Sequence, residues 1–213
     1  QEILMHFLNS RFKKLTKASW QLVLVLVVCS SFAIFELNAQ SKVSDEDRRN
    51  ARLQATYIVR LVTFISWDEN STQTTIPFKI VVLGDEKVGF AKSLKFLIDQ
   101  GNIKSEGRDV EVFSFPNAES KKALKFIKDG VNFIYFTKDS LLNSEDILPV
   151  RGEAMFLAEG RDFVAKNQGC IAFESIRNRL KLVVNETCFR RKFAKVNPVL
   201  TSLKSVVEVV KPE

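Results

Sequence analysis

The sequence predicts a single α/β domain in three layers: a mostly parallel sheet of about six strands, helices on both faces, and an antiparallel pair of strands at the C-terminal edge. Three observations carry this. Apolar runs of strand length alternate with segments whose apolar residues recur at helical spacing, from Phe78 to Val184, and that alternation builds a parallel sheet covered on both faces. The runs Cys170 to Phe173 and Leu180 to Val184 lie too close together for a crossover, so they must pair antiparallel. With 213 residues, 46% of them apolar, and only eight glycines and five prolines, the chain can bury a real core and is not a disordered polymer.

The elements follow in order. Residues 1–39 have the pattern of a secretory signal peptide: basic Arg11, Lys13, Lys14 and Lys17, an apolar stretch from Ala18 to Phe35, and the small residue Ala39 at the expected cleavage point. An uncleaved anchor is the rival, because the stretch approaches the roughly 20 residues that span a bilayer. Gln21, Ser30 and Ser31 dilute the run, and Ala39 favours cleavage. Cys29 as a lipid-attachment site is a weaker reading, since the bulky Val28 precedes it. Residues 40–50 are a polar, flexible lead-in to a domain over 51–213; Ser44 and Asp47 within it have the spacing of a helix-capping pair.

Leu53, Tyr57, Leu61, Phe64 and Ile65 then recur at helical spacing, so a helix is expected to end near Trp67, before a polar loop from Asp68 to Thr75. Phe78 to Leu83, the Gly84–Gly89 turn and the stripe Phe90, Leu94, Leu97, Ile98 make a strand–turn–helix unit. Next come a strand at Val110–Phe115, a helix over 118–129, a strand at Val131–Thr137, a short helix over 139–148, a strand at Ala154–Ala158 and a helical turn over 161–167. The hairpin strands follow, and a last helix is expected with Val196, Leu200, Leu203 and Val207 on one face. No repeat or low-complexity segment interrupts the order.

The chemistry is sparse. The one histidine, His6, lies in the signal segment, which removes histidine-based acid–base catalysis, Ser–His and Cys–His nucleophiles and histidine metal sites from the domain. No cofactor is expected. The whole chain carries +7; without residues 1–39 it keeps 28 basic and 23 acidic residues. So modest an excess on an exported protein argues against nucleic acid as the partner.

Gly84, Asp85 and Gly89 are candidate ligand residues, because their turn lies where open α/β sheets hold ligands. The turn lacks the phosphate-loop spacings, and Asp85 with Glu86 would repel phosphate, so an ordinary strand-to-helix turn is the simpler reading. The pairs Asp68/Glu69, Asp85/Glu86 and Glu145/Asp146 sit in turns or at helix starts, where acids suit the helix dipole. Cys170 and Cys188 are either a disulfide or two buried thiols. A hairpin turn centred at Ile176–Arg177 would set Cys170 opposite Val183 and leave Cys188 about 16 Å of strand further on. Only a sharp return of the chain after Asn185 would join them. Arg190 and Arg191, with Lys192 and Lys195, form a basic cluster, either a solvated face or a docking patch for an acidic partner or membrane surface.

Five segments in this order resemble the YfiR-like family of periplasmic proteins: Tyr57–Trp67, Phe78–Asp85, Asn167–Phe173, Leu180–Asn185 and Val196–Leu200. The likeness spans roughly residues 50–207. Asp68 stands in place of a proline after Trp67, Gln168 in place of a glycine and Leu182 in place of an aromatic residue. The resemblance implies a periplasmic, non-enzymatic regulator that binds an inner-membrane signalling protein, in the best-known case a diguanylate cyclase. A sensor kinase is the other partner class considered, and a homodimer and a small ligand both stay open. Trp67 is then a candidate partner residue, with a core tryptophan as its simpler reading. The second functional reading is a small-ligand-binding module with its cleft near the Gly84 turn.

Overall fold

The computed structural model describes residues 43–67, 77–166, 168–177, 179–189 and 194–211. Residues 1–39, where a signal peptide is expected, and Arg190 and Arg191 of the basic cluster lie outside the described residues.

Helix α1 (Asp45–Phe64) starts at the Ser44–Asp47 cap that the spacing suggests, so residues 45–50 are helical where a flexible lead-in was expected. Ser44 Oγ accepts the Asp47 N–H at 3.0 Å while the Asp47 carboxylate accepts the Ser44 N–H at 3.3 Å, so an aspartate closes the capping box that glutamate usually closes. The helix stops at Phe64, and Ile65–Trp67 forms strand β1 instead of a last helical turn. Ile65 and Trp67 both point inward, which a strand's period of two allows, and β1 pairs antiparallel with β9 (Ala194–Val196).

The remaining elements are β2 (Phe78–Leu83), α2 (Phe90–Gly101), β3 (Lys104–Ser105), β4 (Arg108–Phe115), α3 (Ser120–Lys128), β5 (Phe133–Phe136), α4 (Ser144–Ile147), β6 (Met155–Glu159), α5 (Asp162–Ala165), β7 (Ile171–Ile176), β8 (Arg179–Asn185), α6 (Glu186–Phe189), α7 (Pro198–Ser202) and β10 (Val207–Val210). They build one eight-stranded sheet in the order β10-β8-β7-β6-β5-β2-β4-β3. The six strands expected from sequence are its body, and β10 and β3 extend the two edges.

Phe78, Ile80, Val82, Phe133, Tyr135 and Leu157 lie in one core with residues of α1 and α2. Their neighbours in sequence, among them Val81, Leu83, Ile134, Phe136 and Phe156, share the other core with residues of α3 and α4. Burial on both faces is why these strands are continuous apolar runs. The chain runs from β2 to β4 on one side, then returns to the other side of β2 and proceeds through β5, β6 and β7. The strand order therefore reverses between β2 and β5, and the Gly84 turn stands at that switch point.

Two expectations are corrected at the C-terminus. Val196, Leu200, Leu203 and Val207 do not share a helix: Val196 belongs to β9, Leu200 to the five-residue α7 and Val207 to β10. Pro198 at the first turn and the Asn197 cap fix that short helix, and Val207–Val210 then runs parallel beside Leu182–Asn185. The hairpin register is also shifted. Ile176 pairs with Arg179, so Cys170 lies opposite Asn185, whose N–H donates to the Cys170 carbonyl at 2.9 Å. Helix α6 turns the chain back at once, and Cys170 and Cys188 form a disulfide across 5.3 Å between their Cα atoms. Asn185 holds the return: its Oδ1 accepts from the Thr187 N–H and hydroxyl, and its Nδ2 donates to the Gly169 carbonyl at 3.2 Å.

Candidate functional site

The switch-point residues are spent on one another. Gly84 takes φ +109°, and its N–H donates to the Phe115 carbonyl at 3.0 Å. A Cβ there would meet the Thr137 hydroxyl and lie 2.8 Å and 2.9 Å from Ser140 backbone atoms. The Asp85 carboxylate accepts from Asn117, both the backbone N–H and the side-chain amide, each at 3.0 Å. The same amide nitrogen donates to the Asp139 backbone carbonyl at 2.7 Å, and Asn117 Oδ1 accepts the Leu141 N–H at 2.8 Å. Three loops at the carboxyl ends of the strands are thus tied through Asn117. Gly89 caps α2 at φ +74° with open space around it. The first turn of α2 is already served: Glu86 Oε1 accepts the Ala91 N–H at 2.7 Å, and burial pushes the Glu86 carboxyl above its ordinary value. A carboxylate sits where a phosphate would have to bind.

Beside this turn, a polar cluster that sequence reasoning missed is buried beneath α1. The Tyr135 hydroxyl donates to Gln54 Oε1 at 2.6 Å, and Gln54 Nε2 donates to Glu159 Oε1 at 2.9 Å. Lys138 Nζ holds the other Glu159 oxygen at 2.7 Å. Burial, together with the Glu159 carboxylate, pushes the Tyr135 phenol well above its usual range, and the hydrogen bond to Glu159 raises Lys138. Phe90 stacks on the Tyr135 ring with centroids 4.3 Å apart. The available signal was a tyrosine, a glutamine and a glutamate at otherwise apolar positions. A tyrosinate or neutral lysine suited to proton transfer is disfavoured here, because both groups are held in their ordinary charge states. At the carboxyl ends of β5 and β6 lies a cleft of about 190 Å³, lined by residues that include Thr137, Ser140 and Phe163 and bordered by Lys138 and Glu159 of this cluster.

Trp67, considered above as a partner residue, is 3% exposed. Its ring meets Phe78 edge-on at 5.3 Å and Phe133 at 5.9 Å, so the residue belongs to the core at the amino ends of β2 and β5. The helix stops before it, and β1 carries the ring inward instead of presenting it at a helix end. Arg190 and Arg191 fall outside the described residues, and Cys188 is buried in its disulfide.

An apolar groove of about 250 Å³ lies between α1 and the C-terminal segment, with Tyr57, Leu61, Phe64, Leu182, Leu200 and Leu203 in its walls and Arg60 at its rim. Among the described residues, no group of three or more His, Cys, Asp or Glu side chains is placed to hold a metal, and no helix is long and apolar enough to cross a membrane. Comparison with known proteins gives one family, described as YfiR/HmsC-like, which matches residues 51–204. No curated protein matches the chain.

Proposed function

The chain belongs to the YfiR/HmsC-like family, and on that premise we propose that it is a periplasmic regulator without catalytic activity. It binds an inner-membrane signalling protein, a diguanylate cyclase or a sensor kinase, and alters that protein's output. The observation that carries this reading is the family match, which spans residues 51–204 and so covers most of the folded domain. The residue inventory supports it. The domain has no histidine, and the polar groups at the switch point, where an α/β enzyme would place its chemistry, hold the protein's own loops together. Residues 1–39 supply the export signal that a periplasmic site requires.

The test is capture from detergent-solubilised membranes of the native host with the full chain as bait, joined to measurement of cyclic-di-GMP with and without the gene. The expected result is recovery of a membrane protein bearing a cyclase or kinase domain, and a changed nucleotide level if that domain is a cyclase. Recovery of no signalling protein under conditions that preserve weak complexes would overturn the proposal. The small-ligand reading draws on the cleft beside Thr137 and Ser140. It predicts a thermal shift of the purified domain with a periplasmic metabolite fraction, and no shift would count against it.

A further inference from the structure

Strand β10 ends the sheet, and among the described residues no strand pairs with its outer side. The Leu182 N–H donates to the Val206 carbonyl at 2.8 Å. The alternation of a parallel ladder then turns the Val207 carbonyl, and both the N–H and the carbonyl of Val209, away from β8. The Val207 N–H is already taken by the Leu203 carbonyl at 2.8 Å. Three backbone groups therefore face outward beside Val209, whose side chain is 45% exposed. The groove between α1 and the C-terminal segment opens along the same edge, since Val206 and Val207 are among its walls. Val199 and Leu203 add exposed apolar surface nearby.

Charge identifies what this edge suits. The strand's one acid, Glu208, is bound to Arg161 at 2.6 Å. Arg60, Lys204 and Lys211 are exposed cations with no carboxylate partner among the described residues. A second copy of the chain would bring the same cations against them, which opposes self-pairing, whereas an acidic strand would answer them. Exposed apolar strand edges of this kind are templates for an added strand.

We propose that β10 and the adjoining groove dock an extended, acidic segment of the partner protein, which adds to the sheet as a further strand and seats an apolar side chain beside Leu61 and Leu203. This deepens the regulator reading and rests on it. The three outward backbone groups supply the strand-to-strand hydrogen bonds, the groove selects an apolar residue at alternate positions, and the cationic rim selects the acidic neighbours.

The experiment uses the full chain in its native envelope with the photo-crosslinker p-benzoylphenylalanine at position 209, and at exposed position 96 on α2 as control. The expected product links position 209, and not 96, to a membrane signalling protein at a segment of alternating apolar and acidic residues. Two variants are captured in parallel. Val209→Pro removes the outward N–H without breaking a bond to β8, a substitution that edge strands tolerate. Arg60→Glu with Lys204→Glu reverses the rim and leaves the backbone intact, so the test survives if the proline variant folds poorly. Each is expected to reduce partner capture about tenfold or more with circular dichroism unchanged. Undiminished capture by both variants would refute the docking edge while leaving the regulator reading standing. Cross-linking of position 209 to a second copy of the chain would refute the acidic partner segment. Failure of the unaltered chain to capture any signalling protein would sink both proposals.

Discussion

Replacing Gly84 with alanine probes whether the switch-point turn is a structural lock. At φ +109° an alanine is strained, which costs about 1–2 kcal/mol for an L-residue at positive φ. The new Cβ would also lie 2.8 Å and 2.9 Å from Ser140 backbone atoms, besides striking the Thr137 hydroxyl. Overpacking of that kind adds about 1–3 kcal/mol, so the expected total is about 2–5 kcal/mol. Gly89→Ala is the internal control. It shares a positive φ, +74°, but has nothing within 4 Å of the new methyl, so only backbone strain of about 1 kcal/mol applies. Urea unfolding followed by circular dichroism separates the two. With a slope of about 2 kcal/mol per molar, the midpoint falls by about 1–2.5 M for Gly84→Ala and by about 0.5 M for Gly89→Ala. Because the nearest obstacles include backbone, trimming Thr137 to alanine in the same chain does not restore the loss. Equal shifts for the two glycines would refute the steric account.

Four further outcomes are expected. The double variant Cys170→Ala/Cys188→Ala loses about 3 kcal/mol in urea, because the bond closes a loop of 18 residues in sequence separation; reductant lowers the midpoint of the unaltered protein and not of the variant. Tyr135→Phe takes a donor from Gln54 in a buried cluster and is expected to cost about 1–3 kcal/mol by the same assay. Asn117→Ala unties the three loops, and hydrogen exchange at the Leu141 N–H, which now donates to Asn117, should accelerate while the β2 amides stay protected. Burial holds the Glu86 carboxyl above its ordinary 4.5. Its contribution to stability is therefore full below the unfolded pKa and is lost as pH rises through the raised folded value. Relative to Glu86→Gln, the unaltered protein should lose stability from about pH 4 upward, and urea midpoints across that range that run parallel would contradict the sign.

Legibility in the sequence followed the strength of each local signal. Phe78–Leu83 emerged with both its boundaries, because six consecutive residues are apolar or flank an apolar run and a glycine ends them. α2 was equally clear, its stripe of Phe90, Leu94 and Ile98 being buried as the helical period requires. At the candidate site, Gly84 was correctly placed at the carboxyl end of the first long strand, but its neighbours were invisible. Asn117 follows it by more than thirty residues, and its amide bonds to Asp85 arise only when β4 comes to lie beside β2. The simpler reading of Trp67, a core residue, holds, but its element was illegible for a related reason: an aromatic residue at the end of an apolar stripe looks alike in sequence whether the last turn stays helical or straightens into β1.

The sequence by itself determined the α/β class, the six central strands, the disposition of helices on two faces and the family resemblance, because each rests on periodicity or order along the chain. Tertiary structure decided the rest. β1 and β9 have three residues each and β10 has four, too few for an alternation to register, and they exist because distant partners supply their hydrogen bonds: Ile65 with Val196, Val207 with Leu182. The disulfide was decided in the same way. A two-residue shift of hairpin register and the turn of α6, held by Asn185, brought Cys188 back to Cys170. A hydrophobic pattern reports which face of a segment is buried, while pairing free energy depends on which other segment arrives beside it.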